Sequence, residues 1–159
     1  MNITILAVGK IKESFYRDAV EEYVKRLSKY CKLKIIEVQD EKTPDKAGEA
    51  FDSYIKKQEA DRLLKHIKEG TYVITLEIEG AILDSKQLSH KINELGITGI
   101  SHIVFVIGGS LGLHESVSAR ADYHLSFSKM TFPHQLMRVI LLEQIYRSYR
   151  LINGEPYHK

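Results

Sequence analysis

The sequence predicts an α/β domain in which a mostly parallel sheet carries helices on both faces. Five short apolar runs alternate with longer segments of helical periodicity along the 159 residues, which is typical of parallel sheets. The first run, residues 3–8, and the fourth, residues 103–107, are almost continuously apolar, as expected of strands that are covered on both faces. No repeat or change of composition divides the chain, so we expect one domain over residues 1–159.

The strands and the first two helices follow from local patterns. The predicted strands are the apolar runs at residues 3–8, 33–38, 72–78, 103–107 and 123–127. Apolar residues recur every four positions from Phe15 to Leu27, which predicts the first helix. A second, long helix is expected to follow the turn at residues 43–45 and to be closed by Gly70.

Capping residues mark the later helices. Asp84 and Gln87 have the spacing of a capping box, which predicts a third helix ending at Gly96. A short fourth helix is expected over residues 116–120. Pro133 suits the start of the fifth helix, where its missing N–H has no partner to lose.

The fifth helix is apolar around most of its circumference in its first half. Its apolar residues there are Leu136, Met137, Val139, Ile140, Leu141, Leu142 and Ile145. Burial inside one subunit would explain this composition, but a two-layer domain of this size has little interior that could cover a helix on all sides. A second subunit is the competing explanation.

Composition excludes several classes of protein. The 23 basic and 21 acidic residues give a net charge of +2, short of the basic excess typical of nucleic-acid binders. No apolar run approaches the roughly 20 residues that cross a bilayer, and no secretory leader pattern precedes the first strand, so a cytoplasmic location is expected. The single cysteine, Cys31, cannot form an intramolecular disulfide, and the histidines lack metal-site spacing, so no metal is expected.

An apolar strand that runs directly into glycines is the first candidate ligand site. Gly108, Gly109 and Gly112 follow the fourth strand, where parallel sheets present free backbone groups to ligands. The spacing is not that of a dinucleotide site, and the acidic residue such a site needs about twenty positions later is replaced by Phe127 and Ser128. No phosphate-binding Gly-Lys-Ser/Thr follows either. The glycines could simply turn the chain, but the polar loop beside them favours a ligand site.

The ordered set of motifs resembles one family. GGSLGL at residues 108–113, LSFSKMTFPHQLMR at residues 125–138 and the terminal EPYHK are similar to the SPOUT-class ribosomal RNA large subunit methyltransferase H family. The likeness extends to ITILAVGK at residues 3–10 and to TLEIEG at residues 75–80. It implies a homodimeric SPOUT fold with a deep C-terminal trefoil knot. It also implies methyl transfer from S-adenosyl-L-methionine to N(3) of a pseudouridine in 23S rRNA, as RNA or in the assembled ribosome.

The resemblance also assigns a cofactor pocket. The matching positions are Leu76, Gly108, Phe127, Ser128, Lys129, Met130, Thr131 and Phe132. A loop that joins small polar residues to apolar flanks suits adenine and ribose, and a ligand without phosphates requires no strong anion site.

The last residues are the candidate catalytic segment. A turn over residues 153–156 is expected to bend the tail back from the helix. In the family, the residues matching Tyr157 and His158 point toward the methyl-transfer site. His158 could accept the imino proton, since the pKa of histidine lies near physiological pH, and Tyr157 could orient the uracil ring. The alternative is an ordinary frayed terminus.

Other interpretations stay open at this point. A non-enzymatic RNA-binding dimer would need no cofactor loop, and a nucleotide-binding α/β enzyme would need the missing phosphate-binding turn. Basic residues could contact RNA phosphates only as a collective patch. The candidates are Lys10, Lys12, Lys25, Arg26, Arg138, Arg147 and Arg150.

Overall fold

The computed structural model describes residues 1–45 and 48–157, and within them every neighbouring pair of strands is parallel. The strands are β1 (Asn2–Val8), β2 (Lys32–Val38), β3 (Tyr72–Ile82), β4 (His102–Ile107) and β5 (Tyr123–Ser126). The helices are α1 (Ser14–Leu27), α2 (Glu49–Leu64), α3 (Ser85–Ile97), α4 (Glu115–Arg120) and α5 (His134–Ile152). The sheet order is β2-β1-β4-β3-β5. The predicted α/β class is confirmed. Outside α2, β3 and the end of α5, the boundaries fall within one residue of the prediction.

Two apolar cores lie on opposite faces of the sheet. On β1, the residues Ile3, Ile5 and Ala7 pack into the core that contains side chains of α1, α3 and α5. Leu6 and Val8 pack into the core that contains side chains of α2 and α4. This alternation is the period of two that a strand buried on both faces requires, and it repeats on β4.

Helix α2 differs from its prediction. It ends at Leu64 instead of near Gly70, because the following backbone continues in tighter turns in which the Ile67 amide donates to the Leu64 carbonyl at 3.2 Å. Phe51 and Tyr54 are 43% and 55% exposed, with their ring centroids 6.0 Å apart. Their apolar character therefore indicates the helix but not its buried face.

Strand β3 is longer than predicted and contains a bulge. It reaches Ile82, and its pairing with β5 shifts between Leu76 and Ala81, both of which lie opposite Leu125. The intervening residues 77–80 therefore project from the ladder. A Cβ atom on Gly80 would lie 2.8 Å from the backbone of β5, so glycine lets the bulge lie against that strand.

Helix α5 is fixed to the carboxyl end of β1 by a buried arginine. Arg138 is 1% exposed; its guanidinium donates to the carbonyl of Val8 at 3.2 Å and to that of Gly9, and pairs with the carboxylate of Glu37. Its inclusion among the basic residues that could contact RNA is therefore wrong, because its charge is used inside the protomer. The capping box of Asp84 at the start of α3 is confirmed.

Candidate active site

A cavity of about 320 Å³ opens at the carboxyl ends of β3, β4 and β5, beside the start of α5. This is the edge at which parallel α/β sheets usually bind ligands, and the volume suits a small molecule. The turn after β4 and the loop between β5 and α5 form much of its wall. Seven of the eight predicted cofactor positions line it: Leu76, Gly108, Phe127, Ser128, Met130, Thr131 and Phe132.

The glycine turn after β4 is closed on itself. The Gly112 amide donates to the Gly109 carbonyl at 3.1 Å, and Gly112 has a φ of 85°, which favours glycine. A Cβ atom on Gly108 would lie 2.8 Å from the carbonyl carbon of Gly112. Glycine is therefore required at residue 108 by the turn itself, in addition to any ligand that approaches it.

The loop after β5 is held by its own serines. Ser126 Oγ donates to the Ser128 carbonyl at 3.1 Å, and Ser128 Oγ accepts from the Met130 amide at 2.9 Å. Among the described residues, Lys129 is the predicted cofactor position that does not line the cavity. Its ammonium group lies 3.4 Å from the Ile78 carbonyl, over the bulge of β3.

A carboxylate that the sequence analysis did not single out lies in the cavity wall. Glu77 accepts hydrogen bonds from Thr75 at 2.5 Å and Ser118 at 2.8 Å, and contacts His124 Nδ1 at 2.5 Å. Burial opposes its ionisation, but these hydrogen bonds outweigh burial and lower the pKa of Glu77. The cavity therefore carries a fixed negative charge. The only sequence signal for Glu77 is its position directly after Leu76. Its partners lie on β3, α4 and β5, so the network cannot be recognised within one segment of the sequence.

The first residue of α5 also lines the cavity. The Nδ1 atom of His134 is buried, and no described residue forms a hydrogen bond with it. Burial, and then the nearby charge of Arg138, lower the pKa of His134, so the ring is neutral near pH 7. Its Cε1 atom lies 3.5 Å from the position of a Cβ on Gly9. The sequence gives this histidine no distinguishing signal, because its spacing from other residues matches no metal site.

The C-terminal segment folds back along α5, as predicted. The Glu155 amide donates to the Arg150 carbonyl at 2.8 Å, and Gly154 has a φ of 66°. The Tyr157 hydroxyl donates to Glu143 at 2.9 Å, and the guanidinium of Arg147 lies 4.5 Å from the centre of the Tyr157 ring. Burial, and then the hydrogen bond to Glu143, raise the pKa of Tyr157.

Tyr157 is not among the described residues that line the cavity of its own protomer. Helix α5 contributes His134 and Met137 to the cavity, whereas Tyr157 binds near Glu143. Glu143 lies six positions after Met137 on the helix, which is about 9 Å along the axis. His158, the other predicted catalytic residue, lies outside the described residues.

Within residues 1–45 and 48–157, no cluster of three or more histidine, cysteine or acidic residues is arranged to hold a metal ion. No helix in this part of the chain combines the length and the apolar character that a membrane span needs.

Known proteins resemble the chain over its full length. Residues 1–158 match the family described as "Predicted SPOUT methyltransferase". Proteins named ribosomal RNA large subunit methyltransferase H from Clostridium tetani and Bifidobacterium adolescentis are 62% and 60% identical over 159 residues, which is 100% of each chain. A solved structure described as a probable methylase family protein, from Haemophilus influenzae, aligns with a TM-score of 0.55 at 12% identity, over 99% of this chain and 70% of that one, which supports the fold alone. The chain therefore belongs to the SPOUT methyltransferase family.

Proposed function

We propose that this chain transfers a methyl group from S-adenosyl-L-methionine to N(3) of a pseudouridine in 23S rRNA. The observation that carries the proposal is the cavity at the carboxyl edge of the sheet, which gathers the glycine turn and the loop of residues 127–132. Relatives at about 60% identity over the whole chain carry the name of a large-subunit rRNA methyltransferase. An rRNA substrate also favours a cytoplasmic enzyme.

The chemistry of the cavity wall fits this ligand. Leu76, Phe127 and Met130 offer apolar surface for a flat base, and serines and backbone groups offer partners for ribose and the amino-acid end. The cavity lining among the described residues contains no lysine or arginine, which a pyrophosphate would favour. The wall therefore suits a ligand without phosphates better than a dinucleotide.

When bound, S-adenosyl-L-methionine supplies an activated methyl group on a sulfonium. The carbon–sulfur bond breaks with its electron pair remaining on sulfur, a bond forms to N(3), and the N(3) proton must leave. The protein has to align the two reactants, which accounts for several kcal/mol in well-oriented reactions. We assign proton removal to His158 and orientation of the uracil ring to Tyr157.

The proposal includes a homodimer with a shared site. Leu136 and Ile140 lie four residues apart on α5, are only partly buried, and belong to neither apolar core of the described residues. A second copy packed on this stripe would complete the burial of α5. It would also allow the tail of one protomer to reach the cavity of its partner. Tyr157 is not among the described residues that line the cavity of its own protomer. The trefoil knot and the single domain over residues 1–159 belong to the same proposal.

Calorimetry with S-adenosyl-L-methionine, followed by methylation of ribosomes that carry or lack the pseudouridine, tests the proposal. We expect saturable binding and methyl incorporation only where the pseudouridine is present. RNA binding without cofactor binding would instead identify a non-enzymatic RNA-binding dimer. Binding of a nucleoside phosphate in place of S-adenosyl-L-methionine would identify a nucleotide-binding enzyme.

A further inference from the structure

Glu77 is the one acidic residue in the cavity lining formed by the described residues. The lining contains one other ionisable side chain, the neutral His134, so the carboxylate sets the electrostatic character of the cavity. Its side chain is 27% exposed, which leaves the charge only partly screened by water.

The partners of Glu77 hold the carboxylate in place without an opposing lysine or arginine. Two are hydroxyl groups, on Thr75 and Ser118, and the third is the ring of His124. A structural ion pair usually places a permanent cation against a carboxylate, and that cation would cancel its field. Here, the described contacts fix the carboxylate in the cavity wall from outside the lining, and His124 is the one partner that can carry a charge, and only when it is protonated.

We propose that Glu77 is a specificity-determining residue that favours the cationic methyl donor over the neutral thioether product. This inference rests on the proposed function. S-adenosyl-L-methionine and S-adenosyl-L-homocysteine share the adenine, ribose, ammonium and carboxylate groups, and differ only in the methyl group and the positive charge on sulfur. A fixed carboxylate near the sulfur therefore strengthens binding of the donor and not of the product, and the bound molecule loses this interaction once the methyl group has moved.

Paired titrations of both ligands against wild type and Glu77→Gln test the inference. Glutamine keeps the size and much of the hydrogen bonding but removes the charge. We expect affinity for the donor to fall at least about tenfold, while affinity for the product stays within about threefold. In steady state, the KM for the donor should rise without a fall in kcat, because the carboxylate stabilises the sulfonium most before transfer.

Two matched variants complete the design. Glu77→Asp keeps the charge and should retain most of the preference for the donor. Glu79→Gln removes the same charge from the same bulge, where the side chain is 90% exposed and outside the cavity lining, and should leave both affinities unchanged.

Parallel weakening of both ligands in Glu77→Gln would overturn the inference, since it would make Glu77 a support for the bulge or a partner of the shared ammonium group. Unchanged affinities would overturn it as well. A wild-type protein that binds neither ligand would refute the proposed function itself. Binding of both ligands by wild type with an unaltered ratio in Glu77→Gln refutes only the role of Glu77.

Discussion

Replacing Arg138 with methionine should destabilise the protein strongly, because it breaks a buried ionic network at the junction of β1 and α5. The guanidinium is 1% exposed and contacts the carboxylate of Glu37 and the carbonyl groups of Val8 and Gly9. Methionine fills much of the space but leaves Glu37 without its cation and two carbonyls without a charged donor. Removing one partner of a buried pair typically costs about 3–5 kcal/mol, and the lower end applies here because the remaining carboxylate of Glu37 is 32% exposed and still accepts from the Ile11 amide. For a domain of this size, about 3 kcal/mol corresponds to a fall in Tm of roughly 6–12 °C.

Urea unfolding followed by circular dichroism, at one fixed protein concentration because of the expected dimer, measures this loss. Arg26→Met is the matched control, since Arg26 pairs with Glu22 on the surface with side chains 40% and 52% exposed. We expect the control to change the free energy of unfolding by less than about 1 kcal/mol. Arg138→Lys, which keeps the charge but not the forked geometry, should fall between the two. A loss below about 1 kcal/mol in Arg138→Met would show that the network does not hold α5 to the sheet.

The remaining predictions concern the dimer and the tail. Ile140→Lys, on the stripe outside both cores, should give a folded monomer by light scattering, because it would place an unpaired charge in the interface. The control Ile97→Lys, at a side chain that is already 76% exposed, should leave the oligomer unchanged. A dimeric Ile140→Lys protein would exclude this stripe as the interface. Deleting residues 157–159 should leave S-adenosyl-L-methionine affinity nearly intact while turnover falls, and His158→Ala alone should reduce single-turnover methylation about a hundredfold or more. Wild-type turnover in the truncated protein would show that the tail is an ordinary frayed terminus. A higher KM for ribosomes at unchanged turnover would show that the tail positions the substrate.

Much of the fold could be predicted because its signals are local. The alternation of Ile5 and Leu6 between two cores follows from the period of a strand, and the cap of α3 follows from two residues three positions apart. The family motifs likewise identify most of the residues that the structure gathers around the cavity. Each of these signals lies within one segment of the chain.

The residues that sequence analysis missed depend on contacts between distant segments. Arginine is usually a solvated surface residue, so the sequence alone does not mark Arg138 as buried. Its role as a buried anchor depends on contact with Glu37, which is 101 positions away in the sequence. In the sequence, Glu77 is only a polar residue near the end of a predicted strand. In the structure, it lies at the bulge in β3 and contacts Ser118 and His124. The exposure of Phe51 had the same cause, since nothing within α2 indicates which side of the helix the sheet will cover.

The cavity wall is held at both ends, and this separates two ways of losing cofactor affinity. After β5, the loop is fixed by the hydrogen bonds of Ser126 and Ser128, and at α5 it is fixed by Arg138, four residues after the cavity-lining His134. Loosening the α5 end should therefore weaken both S-adenosyl-L-methionine and its product, together with the free energy of unfolding, although Arg138 does not line the described cavity. Removing the charge of Glu77 should instead weaken the donor alone. If Arg138→Met altered the ratio of the two affinities as Glu77→Gln is expected to do, the ratio would report the shape of the cavity, and the electrostatic explanation would have to be abandoned.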